Sequence, residues 1–73
     1  MFYWIQLVRG GVPEGPIRCE SERAATVIAS ERVNEHRQIN AVNILFGPDA
    51  DDLTLESKVT RLGQEAVEIK EML

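Results

Sequence analysis

The sequence predicts a small α+β domain. The expected architecture is a ββαβα unit: a three-stranded, mostly antiparallel sheet of order 2-1-3, packed by a central helix and followed by a C-terminal amphipathic helix. Three observations carry this. Residues 2–8 (FYWIQLV) and 41–46 (AVNILF) are short runs rich in β-branched and aromatic residues. Between them, residues 21–37 (SERAATVIASERVNEHR) carry apolar residues at helical spacing behind a serine. From residue 54 onward, Leu55, Val59, Leu62, Ala66, Ile69 and Leu73 recur at alternating intervals of four and three.

The first strand, Phe2 to Val8, is apolar on both faces: Tyr3, Ile5 and Leu7 on one, and Phe2, Trp4 and Val8 beside Gln6 on the other. Such a strand suits the centre of a sheet, or keeps one face for a partner, because a single helix layer covers only one side. Arg9 to Pro16 (RGGVPEGP) is dense in Gly and Pro and reads as a loop or wide turn. It has neither the Gly-Lys-Ser/Thr ending of a phosphate-binding loop nor GxGxxG spacing. A short second strand, Ile17 to Cys19, follows it.

The helix has a physical start. Ser21 is a good N-cap, and Glu22 places negative charge in the first turn, although Ala24 leaves no capping box. Ala24, Ala25, Ile28 and Ala29 share one side, with Val33 at its edge, and Val27 stands alone on the polar side. Small side chains allow close approach to a sheet. His36 and Arg37 are expected in the last turn, where positive charge suits the dipole. A third strand, Ala41 to Phe46, ends at Gly47-Pro48. It is expected to run antiparallel to the first.

Asp49, Asp51 and Asp52 do not make a calcium loop, because Leu53, Thr54 and Thr60 stand where ligands and a glycine are needed. They are expected to cap the next helix, read as Leu53 to Met72 and weakened at Gly63. Its seam of Leu55, Val59, Leu62, Ala66 and Ile69 either folds back on the domain or pairs with a second copy. The competing assignment is a strand at 53–60, where Leu53-Thr54-Leu55 alternates and Val59-Thr60 favours β structure.

The chain has 73 residues and forms one expected domain (residues 1–73), near the lower limit for an independent core. Its net charge of −4 is unevenly placed. Residues 1–46 are neutral, whereas residues 47–73 hold seven acidic and three basic groups. A negative total disfavours direct binding to phosphates. One cysteine allows no internal disulfide, and neither a signal peptide nor a membrane-length apolar run is present. These features predict a complete cytoplasmic protein.

Cys19, ahead of a helix N-terminus, is the only nucleophile candidate, since that position can lower a thiol pKa. Its simplest role is a small buried hydrophobe. His36 lies at the far end of the same helix, so a Cys–His dyad and a metal set are both excluded. No catalytic, cofactor or metal constellation is expected, and the chain is not expected to be an enzyme.

By elimination it reads as a protein-binding module. One version is a stand-alone inhibitor or adaptor of the kind phages and mobile elements encode, for example an anti-CRISPR protein. It would use Asp49, Asp51, Asp52 and Glu56, with Phe2 and Trp4, against a basic, nucleic-acid-binding partner. A second is a homodimeric assembly subunit joined through the 55–73 seam or an edge strand. A third is a single-stranded nucleic-acid binder using the N-terminal aromatics and arginines.

Overall fold

The computed structural model describes residues 1–70. In chain order the elements are β1 (Phe2–Arg9), β2 (Val12–Cys19), α1 (Glu22–Glu35), β3 (Ile39–Asp49), β4 (Asp52–Leu62) and β5 (Glu65–Lys70). The strands form one five-stranded sheet of order β2-β1-β3-β4-β5, and every neighbouring pair is antiparallel. The expected three-stranded sheet with a C-terminal helix is therefore wrong. The first three strands are neighbours in the order expected, but the segment read as a helix from Leu53 is the hairpin β4–β5. Glu71 and Met72, the end of that expected helix, and Leu73, the last residue of its apolar spacing, lie outside the described residues.

Three two-residue turns build the sheet. Arg9 pairs with Val12 across Gly10-Gly11, whose φ values of 57° and 83° are open to glycine at little cost. The stretch read as a loop is thus a tight hairpin, and β2 begins at Val12. Pro13 and Pro16 are tolerated because β2 is an edge strand with β1 as its only neighbour. Asp49 pairs with Asp52 across Ala50-Asp51, and the Asp51 amide donates to Asp49 Oδ1 at 2.9 Å. These aspartates close a β-turn and do not cap a helix. Leu62 pairs with Glu65 across Gly63-Gln64, with Gly63 at φ 66°. The glycine read as a weak point in a helix is the corner of a hairpin.

The helix starts where the sequence places it. Ser21 Oγ accepts from the Ala24 amide at 3.0 Å. It ends two residues early, at Glu35, with His36 as an extended C-cap, so Arg37 lies outside it. Arg61 from β4 reaches this end and donates to the carbonyl oxygens of Val33 and His36. A cation at the open carbonyls of a helix C-terminus satisfies acceptors and the dipole together.

One face of the sheet lies under α1, which touches all five strands. Ala25, Ala29 and Val33 are fully buried against Ile5, Val42, Ile44 and Val59, with Ile39 and Cys19 closing the cluster. Val33 is therefore central to the helix's buried side, not at its edge. The alanines let the helix sit low on a floor of β-branched residues. Tyr3 and Phe46 extend this layer, their rings 4.7 Å apart.

Two shifts in register shape β3–β4. Ile44 pairs with Ser57 but Leu45 with Leu55, so Glu56 is an extra residue in β4. Nearer the turn, Gly47 is buried, and a Cβ there would overlap the Asp52 carbonyl oxygen. Only glycine permits that approach of β4.

Candidate functional site

The strand registers bring distant carboxylates to one end of the sheet. Phe2 pairs with Gly47, and Tyr3 with Cys19 and Phe46. The start of β1, the end of β2, the N-terminus of α1 and the β3–β4 turn therefore share that end. Glu20, Glu22, Asp49, Asp51 and Asp52 project there, all exposed. Glu56, pushed out by the bulge, joins them on the helix side.

Tyr3 feels two of these carboxylates, Glu22 and Glu56. Its hydroxyl donates to Glu22 Oε2 at 3.3 Å. Its pKa is raised above the ordinary phenol value, first by burial, then by the negative charge of Glu22 and of Glu56. The positive groups near this end are Lys70, whose Nζ lies 3.9 Å from Glu22 Oε1, together with Arg18 and Arg23. Arg18 stacks its guanidinium 4.7 Å from the centre of the Phe2 ring.

The expected partner-binding residues thus divide. Asp49, Asp51, Asp52 and Glu56 gather at the acidic end, and Phe2 borders it. Trp4 lies one step along β1 on the open face of the sheet, half-buried, with its Nε1 donating to the Gly47 carbonyl oxygen at 3.1 Å. The carboxylates of Glu20 and Glu22 belong to the same end, whereas the sequence places Glu22 only at the helix start and gives Glu20 no role. The pairing of Tyr3 with Cys19 is what places them there, and no local signal shows it.

The heptad seam does not exist as a stripe. Val59 is fully buried beneath α1 and Ala66 packs against the same cluster. Leu55 pairs with Leu45 and Ile69 with Lys58, which puts both on the open face, and Leu62 is 72 % exposed at a strand end. Strands separate what a helix would have aligned.

The grouping behind the nucleic-acid reading is also divided. Phe2 and Trp4 share the open face with Arg18, whereas Arg23 and Arg32 are carried by α1 on the other side and Arg37 follows it. Arg9 is paired with Glu14 at 3.4 Å.

Cys19 is buried beneath the helix, and burial pushes its thiol pKa up. That direction is opposite to the lowering a helix N-terminus can give. Cys19 and His36 flank opposite ends of α1. Among the described residues no group of three His, Cys, Asp or Glu side chains is placed to hold a metal ion. A shallow cleft of about 330 Å³ lies at the opposite end of the molecule, lined by Asn34, Arg37, Arg61, Gly63 and Gln64. Arg61 there is already committed to the helix carbonyls. No helix among the described residues is long and apolar enough to cross a membrane. No protein-family model, curated protein or solved structure matches this chain.

Proposed function

We propose that this chain is a non-enzymatic protein-binding module that presents its acidic end to a basic surface of a partner protein. The observation that carries this reading is the convergence of Glu20, Glu22, Asp49, Asp51, Asp52 and Glu56, from three separate segments, on one end of the sheet. Clustered carboxylates on a rigid frame attract a basic site over a distance of about one Debye length, roughly 8 Å at physiological salt. They are held by a two-residue turn, a helix start and a bulge, so little ordering remains to be done on binding. A basic nucleic-acid-binding site is the natural counterpart, because it is built to receive regularly spaced negative charge. A stand-alone inhibitor or adaptor of the phage or mobile-element type, as in anti-CRISPR proteins, fits this description.

The test is affinity capture with the tagged protein, wild type against the triple variant Asp49→Lys, Asp51→Lys, Asp52→Lys. These positions are exposed in a turn, so circular dichroism should match wild type. The expected result is capture of a nucleic-acid-processing protein that weakens with salt and is lost in the triple variant. A partner retained equally by both proteins refutes the acidic-end mechanism.

A further inference from the structure

Nothing among the described residues covers the second face of the sheet, and its composition points to an occupant. We propose that two copies of this chain stack these open faces against each other to form a homodimer. The face is built around Trp4, Leu45 and Leu55, neighbours across β1, β3 and β4, with Phe2 next to Trp4 along β1, and with Ile69 and Val67 further along the same face, across from Lys58 and Thr60. Phe2 is 42 % exposed and Ile69 55 %. At its middle, Asn43 Nδ2 donates to Gln6 Oε1 at 3.1 Å, so the two central amides are paired to each other.

Three arguments select a second copy. The first is size. Five strands spaced about 4.8 Å apart, with roughly seven residues each at about 3.3 Å, give a footprint on the order of 550 Å². Two such faces bury about 1,100 Å², which clears the lower bound of about 1,000 Å² for a specific interface.

The second is shape. Antiparallel sheets carry a fixed twist, and a twisted sheet is complemented by another of the same twist, stacked at about 10 Å as in a β-sandwich. This chain supplies half of such a sandwich.

The third is charge. The chain carries −4 overall, yet among the described residues the centre of this face has no carboxylate. Its cations are Arg18, which lies over the Phe2 ring, and Lys58, which pairs with Asn43 beside the middle of the face and with Ile69 of β5 and is exposed there. Among the described residues, acidic side chains approach only at its corners, through Glu20 and Glu65. Two copies therefore meet here without burying like-charged carboxylates, although their acidic ends repel elsewhere.

Stacking also completes a small domain. A 73-residue chain with one covered face has little apolar burial, and a second copy adds it by mass action. Both helices and both acidic ends remain outside, so the dimer displays its carboxylate clusters twice.

Trp4 is the only tryptophan and sits on this face, which gives a direct readout. The experiment measures mass by light scattering or sedimentation, and tryptophan emission, on the full chain at concentrations up to about 1 mM. The expected mass is twice that of the chain, with emission moving to the red on dilution in step with the fall in mass. The double variant Leu55→Lys, Ile69→Lys should stay folded by circular dichroism and be monomeric. Val27→Lys, on the outer face of the helix, should leave the dimer intact. A wild type that is monomeric throughout overturns the proposal and leaves the face to a different protein. A dimer whose emission does not change on dilution, or that survives in a folded double variant, overturns it too. None of these readings depends on a captured partner, so the acidic-end proposal can fail while this one stands.

Discussion

The two faces of the sheet use similar residues for different ends. Under α1 lie Ile5, Val42, Ile44 and Val59, each at most 2 % exposed. On the other face Trp4, Leu45 and Leu55 are only half-buried, and Phe2 and Ile69 are more exposed still. Neither strand register nor hydropathy distinguishes the sides of β1, which is apolar on both. The difference is the lid. An alanine-lined helix lies close enough to exclude water from a floor of β-branched side chains, and nothing within the described residues does so opposite. Burial here is a property of what lies above a residue, not of the residue.

The largest test of this contrast is a matched pair of truncations. Ile44→Ala should cost about 2–5 kcal/mol, because it opens a cavity in a packed layer. Leu55→Ala should cost less than about 1.5 kcal/mol, since a half-exposed side chain has less burial to lose. Urea denaturation at two protein concentrations would also separate them. Only the Leu55→Ala cost should grow with protein concentration if the open faces stack. Equal costs for the two variants would show that the faces are not energetically distinct.

A middle-sized effect concerns how the lid is anchored. Arg61→Ala removes the cation from the Val33 and His36 carbonyls and should lower stability by about 1 kcal/mol, reaching roughly 2 kcal/mol if burial strengthens the contact. Thermal unfolding would show it, and Arg61→Lys should recover part of the loss. An unchanged midpoint in Arg61→Ala would mean that packing alone holds the helix end. At the other end, Ser21→Ala should cost about 1 kcal/mol through the lost cap, and Ser21→Asn almost nothing. A similar loss from both substitutions would put the effect in something other than capping.

The smallest effect is alkaline. Cys19 and Tyr3 both have raised pKa values, Cys19 through burial, and Tyr3 through burial first and then Glu22 and Glu56. In the unfolded chain Cys19 loses its proton near pH 8.5 and Tyr3 near pH 10. Over the next stretch of pH the native state still binds those protons, so stability falls as pH rises, and the decline ends once the folded pKa values are passed. Tyr3 is the sole tyrosine, so its titration can be followed by phenolate absorbance. Removing the carboxylate at position 22, as in Glu22→Gln, should bring that titration to lower pH. A midpoint unmoved by Glu22→Gln would remove the electrostatic account of the acidic end.

The legible parts of the fold are those whose signals are local. Ser21 followed by an apolar stripe marks a helix start, and the runs around Ile5 and Ile44 are strands by composition. Two stretches were misleading for stated reasons. The Gly-Pro density of residues 10–16 suggests a loop, yet proline is permitted on an edge strand, and β2 is one. The spacing of Leu55, Val59, Leu62, Ala66 and Ile69 suits a helix, but a bulge at Glu56 and a turn at Gly63-Gln64 produce the same spacing in a hairpin. The bulge moves Leu55 and Val59 to opposite faces although their positions have the same parity. Asp49, Asp51, Asp52 and Glu56 stood out from the sequence as an acidic run. Their meeting with Glu20 and Glu22 did not, because it depends on the pairing of Phe2 with Gly47 and Tyr3 with Cys19.

By itself the sequence determined where α1 begins, which side of it is apolar, that β1 and β3 are strands, and that charge accumulates after residue 46. Those follow from dihedral preference, capping and periodicity, which act within a few residues. Tertiary structure alone decided that the segment after Asp52 is the hairpin β4–β5. β3 offers an eleven-residue edge whose amides and carbonyls need partners, and β4 supplies them from a segment with no decisive preference of its own. Backbone hydrogen bonds in a helix close locally, whereas those in a sheet close across the chain, so the second kind cannot be read until the neighbours are known.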